Sequence, residues 1–307
     1  MSSNKVRIDI SSTMFREADH RERLAGIKNA CGECGIELGV QLHNTSPADE
    51  IALSVETGLP LTAHIPLLSE WQINLSTAEL GPALESLETS AALMRRHGIT
   101  EAVVHGFVMT DLPIPTFGRG RSYDDAMSAI YRPELSLPDS RLCCDFFSTD
   151  EFAERRGLTR ENLRKAAVLF PDLRLYIEND FPCYGAGNLL AECAALLDND
   201  MCLDTSHLWA TAFIYDRDFM AEAEEFLRTG RVRMVHLHAS SYTPATPKLQ
   251  WGDGHLPLTT PNQMRLPELV SRCRRAGVNH YVLEIRRASA DDIYCFNAMW
   301  NQSETIS

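Results

Sequence analysis

Asp253 and His255 flank a single glycine in the segment WGDGHLPLTT, Trp251 to Thr260. A carboxylate and an imidazole that close together form a compact pair of metal ligands on a flexible turn, because both donor types suit zinc and other divalent ions. Similar residues recur where short apolar runs end. His64 closes LTAH, His105 closes EAVVH, Glu178 closes LRLYIE, and Asp204 closes MCLD with His207 three residues on. VRMVHLH carries His236 and His238, and YVLE ends in Glu284. Taken singly, an imidazole or carboxylate in such a place is more often a hydrogen-bonded structural group. A whole ring of them would be costly to bury unless paired or metal-bound, so the set points to a metal centre.

The elements that must carry this ring follow from the apolar pattern. Runs rich in β-branched and aliphatic residues occur eight times: VRIDI from Val6, IELGVQL from Ile36, LTAHI from Leu61, EAVVH from Glu101, LRLYIE from Leu173, MCLD from Met201, VRMVHLH from Val232 and YVLEI from Tyr281. Segments of helical periodicity separate them. One, STAELGPALESLETSAALMRRHG, opens with Ser76 and Glu79 spaced as a capping box and closes on Gly98. Gly35, Gly230 and Gly277 stand at the same helix-to-strand exits. Strands that alternate with helices and are buried on both faces build a parallel sheet, and eight of them close a barrel. The expected fold is α/β, a (β/α)8 TIM barrel spanning residues 1–307 as one domain. An open doubly wound sheet is the competitor, but no GxGxxG follows the first strand and no phosphate-binding loop occurs. Between His105 and Leu173 the chain carries more than one helix requires, including TDLPIPTFGRGRSYDD and PELSLPDSRLCCDFF. An enlarged, lid-like insertion is therefore expected after the fourth strand, at about 106–172. The ligand-type residues fall at the C-terminal ends of the strands, the reactive face of such a barrel.

Composition narrows the partners. The 307 residues are 44% hydrophobic and 23% charged, and no apolar run is long enough to cross a bilayer. MSSNKVRIDI enters the first strand without a basic region followed by a long apolar one, so a cytoplasmic protein is expected. Nine scattered cysteines fit reduced thiols better than a disulfide framework. Cys31 and Cys34 make one CxxC in the last turn of a predicted helix; with no second CxxC, a structural role is favoured. The formal net charge of −13 disfavours general nucleic-acid binding, which draws on Lys and Arg. A small molecule is the expected partner, and the oligomeric state is left open.

The set His64, His105, Glu178 in YIEND, Asp204-x-x-His207 in CLDTSH, His236 in VHLH, Asp253-x-His255 and Glu284 resembles the endonuclease IV and xylose isomerase-like TIM-barrel superfamily, which includes sugar phosphate isomerases and epimerases. The resemblance is clearest from the third strand onward, and INL, YGAGN, DTSHLWATAFIYD and DGHLPL are similar to local patterns of that superfamily. It implies two to three divalent ions, with zinc favoured and manganese an alternative. His64, His105 and Glu178 would hold one ion, Glu178, Asp204, His236 and Glu284 a second, and His207, Asp253 and His255 a third. His238 shares the inward phase of His236 and is the alternate ligand. Leu67 in HIPLL stands where the family's DNA enzymes place an inserted aromatic residue, so the resemblance carries over the metal site without the DNA substrate.

Two reactions fit. The first is multinuclear hydrolysis, with a phosphoester of a small molecule as substrate, Glu178 bridging ions and Glu178, Asp204 and Glu284 as the catalytic carboxylates. The alternative is a metal-dependent sugar or sugar phosphate isomerase or epimerase, in which a carboxylate pair moves a proton beside a carbonyl. Under that alternative His64, His105, Asp253 and His255 are surplus. The basic residue that such epimerases often place six positions past the seventh-strand His is also missing, since Tyr242 and Pro244 occupy the two candidate positions. A metal-bound scaffold without activity is the non-enzymatic reading. Trp71, Trp209 and Trp251 each follow a proposed ligand and are expected to wall the substrate. Arg119 and Arg121 on the long connection, and Arg286 beside Arg287 past Glu284, are expected to clamp an anionic group.

Overall fold

The computed structural model describes residues 5–302. Eight parallel strands close into a barrel in sequence order, each hydrogen-bonded to the next and the last to the first. In chain order the elements are β1 (Arg7–Ser11), α1 (His20–Cys34), β2 (Glu37–Leu42), α2 (Ala48–Glu56), β3 (Leu61–His64), α3 (Gly81–Arg96), β4 (Glu101–Val104), α4 (Tyr123–Ser128), α5 (Asp150–Leu169), β5 (Arg174–Glu178), α6 (Ala191–Leu197), β6 (Met201–Asp204), α7 (Thr205–Ile214), α8 (Phe219–Arg228), β7 (Val232–His236), α9 (Leu266–Arg275), β8 (His280–Leu283) and α10 (Ala290–Gln302). The expected barrel is the observed one. Among the described residues no helix is long and apolar enough to cross a membrane.

Local signals act mostly as the residues require. Gly35, Gly98, Gly230 and Gly277 take φ between 67° and 82°, the left-handed geometry that lets a helix end and a strand begin within two or three residues. The capping box does not form: α3 starts at Gly81 behind Leu80, and Ser76 instead binds Asn74 Oδ1 at 3.0 Å. Asn74 organises that loop by receiving Val108 N–H at 3.1 Å and donating to Thr110 C=O at 2.9 Å, a competition that turns Ser76 away from a cap. The nine cysteines are all free, with Cys31 buried and Cys34 half-buried at the end of α1.

The barrel interior is layered. Val103, Tyr176, Cys202, Met234 and Val282 meet in its middle as one apolar cluster. Because side chains alternate along a strand, the residue two places on points inward again, one layer higher. This places Glu178, Asp204, His236 and Glu284 above that cluster, on the C-terminal rim. Below it, Asp9 accepts from Arg7 Nε at 2.7 Å and Thr62 Oγ1 at 2.7 Å, and faces His280 Nε2 at 3.2 Å. Gly39 makes room for that carboxylate, since a Cβ there would come within 2.1 Å of Asp9 Oδ1.

The long connection has two parts. Residues 150–169 form α5, the regular helix between β4 and β5. Residues 105–149 form the excursion, with α4 its longest helix. Ile114, Met127, Ile130 and Leu142 pack there with Cys183, Tyr184 and Ile214, giving the excursion an apolar core of its own.

Candidate metal centre

Six strand ends, the first turn of α7 and the loop after β7 bring the nine predicted ligands to one rim. His64 Nε2 lies 3.0 Å from Glu178 Oε2, and His105 Nδ1 lies 3.6 Å from the same oxygen. His236 Nδ1 is 2.7 Å from Glu178 Oε1, 3.2 Å from Glu284 Oε2 and 3.8 Å from Asp204 Oδ2. Asp253 Oδ2 meets His207 Nε2 at 3.1 Å and His255 Nε2 at 2.5 Å. His64 with His105 and Glu178, and His207 with Asp253 and His255, are thus compact triads whose donor atoms lie within 4.8 Å of one another. Of the two seventh-strand histidines, His236 touches three carboxylates. His238 is 3.4 Å from Asp204 Oδ1 and 2.7 Å from Ser206 Oγ, and its ring lies 4.4 Å from that of His255.

These groups open into a cavity of about 300 Å³, lined on one side by His64, His105, Glu178, His207, Asp253, His255 and Glu284. That volume suits a small molecule. No known protein-family model matches the sequence, and no curated protein does. Solved structures do match over nearly the whole chain. A D-tagatose 3-epimerase-like protein is 11% identical with a TM-score of 0.58, covering 97% of this chain and 97% of its own. An L-ribulose 3-epimerase is 15% identical with a TM-score of 0.58, covering 98% and 96%. A xylose isomerase domain containing protein from Salmonella typhimurium LT2 is 14% identical with a TM-score of 0.56, covering 100% and 98%. At these identities the likeness is one of fold, a closed (β/α)8 barrel.

The rim's own chemistry tests whether a cation fits. His64 Nδ1, Glu178 Oε1, Asp204 Oδ2 and both ring nitrogens of His236 are buried without a hydrogen-bond partner. Glu178 Oε1 and Asp204 Oδ2 both face His236 Nδ1, at 2.7 and 3.8 Å, without hydrogen-bond geometry, and an unsatisfied buried polar atom is costly. Burial would raise Glu178, but His236, His105 and His64 hold it well below the usual carboxylate range. Burial would also raise Glu284, which His255 and His236 hold well down. His105 is disfavoured as a cation by burial, yet Asp180 and Glu178 lift it to about 9, and Asp253 and Glu284 lift His255 to about 10. Ionised carboxylates balanced by protonated imidazoles are a set in which a divalent cation can replace protons, so the residues fit a metal.

Three rim residues absent from the sequence reading complete the site. Asp180 pairs with His105 Nδ1, and burial raises it above the usual carboxylate range. Asn44 lines the cavity with a buried Oδ1 that has no hydrogen-bond partner. His43 Nε2 lies 3.2 Å from Glu284 Oε1. Its Nδ1 accepts the backbone N–H of Thr45 at 3.1 Å, which leaves Nε2 as the ring nitrogen that faces Glu284. The signal for His43 and Asn44 was the same strand-end position, one strand earlier than the ring began; that for Asp180 was the END that follows YI.

The predicted tryptophan wall and arginine clamp lie elsewhere. Trp209 donates Nε1–H to Tyr242 C=O at 2.9 Å, and Trp251 is buried, stacked on Phe213 at 4.3 Å and on Tyr242 at 5.6 Å. Both belong to a cluster under the loop after β7, and Trp71 bridges to Pro115; none of the three lines the cavity. Arg119 donates to Ser69 C=O at 2.8 Å and Arg121 to Thr116 C=O at 3.2 Å. Arg286 pairs with Glu17 at 2.7 Å, and Arg287 faces the same carboxylate at 3.8 Å. Each finds its anion or carbonyl away from the cavity, which leaves Arg141 as the arginine among the described residues that lines it.

Proposed function

We propose that this barrel is a divalent-metal-dependent isomerase or epimerase of a small polyhydroxy carbonyl compound. One observation carries the reading: Glu178 and Glu284, from strands three places apart around the barrel, converge on the same nitrogen of His236 at 2.7 and 3.2 Å beside a small-molecule cavity. Two carboxylates held in the ionised state at one point can take a proton from a carbon next to a carbonyl and return it to another position. A divalent ion held by Glu178, Asp204, His236 and Glu284 would polarise the carbonyl and so acidify that carbon. His43 Nε2 lies 3.2 Å from Glu284, close enough to orient it, and neutral His64, whose charged form burial disfavours, can donate Nε2–H to Glu178 Oε2. Asn44 Oδ1 is free to accept a substrate hydroxyl. The epimerase names among the similar structures support this reading over hydrolysis.

A specific observation favours the second reading, a multinuclear phosphoester hydrolase with zinc or manganese. The triads of His64, His105 and Glu178, and of His207, Asp253 and His255, are more ligands than one ion needs. One experiment separates the two. Metal-loaded protein is analysed for ions per chain, then incubated in D2O with ketoses and, in parallel, with phosphomonoesters and phosphodiesters. Exchange of the carbon-bound proton beside the ketose carbonyl, seen by NMR, supports the isomerase. Two or three ions per chain with ester turnover and no exchange would establish the hydrolase.

A further inference from the structure

The cavity has two chemically different walls. One is the rim of imidazoles and carboxylates. The other is apolar, built by Ile114, Phe117, Tyr123 and Met127 of the excursion with Ile73 and Phe181 from the loops after β3 and β5. A polyol with a hydroxyl on every carbon would leave this second wall without a partner and would strip water from hydroxyls that find no acceptor there.

The apolar wall is preformed. Phe117 and Tyr123 meet edge to face at 5.1 Å, and the Tyr123 hydroxyl is paired with Cys183 Sγ at 3.2 Å, which holds the ring in place. Met127 and Ile114 belong to the excursion's own core. Met109 N–H bonds Gly185 C=O at 2.8 Å, and Asn74 holds Val108 and Thr110 from the β3 side. A ligand that fills this wall orders little that is not already ordered.

The wall also carries no free charge. Among the described residues that line the cavity, Arg141 is the single Arg or Lys, and its guanidinium is paired with Asp124, which also accepts from the Tyr184 hydroxyl at 2.8 Å. A phosphate end would meet an arginine already neutralised.

From these observations we infer that the substrate is amphiphilic: a hydroxy-carbonyl head engages the rim, and a neutral apolar body of about ring size lies against Phe117, Tyr123 and Ile114. This rests on the isomerase reading for the head and on the cavity alone for the body.

Binding to the metal-loaded protein tests it, with calorimetry as the readout and no turnover required. The probes share one head: hydroxyacetone, benzyl hydroxymethyl ketone and dihydroxyacetone phosphate. Burying the phenyl ring is expected to make the benzyl ketone bind at least about tenfold more tightly than hydroxyacetone. Phe117→Ala removes most of that advantage and leaves hydroxyacetone unchanged, while Tyr123→Phe, which keeps the ring, retains it. Thermal melting of each variant confirms that it folds. Equal affinity for hydroxyacetone and its benzyl counterpart, or tightest binding of the phosphate, overturns the inference. Loss of ketose proton exchange with the ranking of probes intact would sink the isomerase reading and leave the apolar subsite standing.

Discussion

Both ends of this barrel bury charge, and they do so differently. On the floor, Asp9 is satisfied by Arg7 and Thr62, while Glu101 accepts from Tyr176 Oη at 3.1 Å and pairs with Arg174 at 3.2 Å. One floor atom, His280 Nε2, lacks hydrogen-bond geometry, and it faces a single carboxylate. On the rim, by contrast, His64, Glu178, Asp204 and His236 all present buried atoms without partners, several toward the same neighbours. A polar layer whose needs are met internally holds a fold together; one whose needs are left open is arranged for something that arrives from outside. The two layers share residue types, so the distinction lies in pairing and not in composition.

Mutations at the two ends should therefore separate metal affinity from stability. Glu178→Ala takes oxygens away from both the His64 and the His236 groups, and divalent-ion affinity is expected to fall by more than about 100-fold, measured by titration against a competing chelator. A wild-type affinity in that variant would remove Glu178 from the centre. Asp9→Ala should leave ion content unchanged while lowering stability by about 3 kcal/mol, because it strands Arg7 and His280 without their carboxylate. Denaturant melting together with elemental analysis checks both halves, and loss of metal would mean that floor and rim are not independent. The smallest effect belongs to His43. His43→Asn withdraws the donor from Glu284 and should reduce ketose proton exchange by up to about tenfold, mainly in kcat. His43→Gln, whose amide nitrogen can reach the place of Nε2, should restore most of it; equal loss in both variants would show that His43 only fills space.

The barrel and most of the rim were legible because six of the nine ligand-type residues stand at the ends of apolar runs, and strand phase alone then decides that Glu178, Asp204 and His236 point inward together. The excursion was legible as an enlarged connection after the fourth strand, but its packing was not, because 105–149 is mostly turns whose apolar residues pack against Cys183 and Ile214, partners far away in sequence. Proximity in sequence misled for the tryptophans. Trp209 lies two residues after His207 and Trp251 two before Asp253, but Trp209 packs on Phe219 and Trp251 on Phe213 and Tyr242, under the loop and away from the cavity. It misled again for Arg286, where Glu17 waits on the connection after β1. His43 was missed because the ring of ligands was read from the third strand onward, although the second ends in the same way.

The excursion's borrowed partners also set a timetable for the nascent chain. Ile114 leaves the ribosome 100 residues ahead of Ile214, so its face of the cavity waits for a neighbour not yet synthesised. At about 5–20 residues per second that interval is roughly 5–20 s, during which Ile114, Met127, Ile130 and Leu142 are available to any other sticky surface. The excursion's apolar core thus closes only when residue 214 has been made, before β7 and β8 complete the barrel. Until then its side chains are exposed surface on which a half-made chain can aggregate.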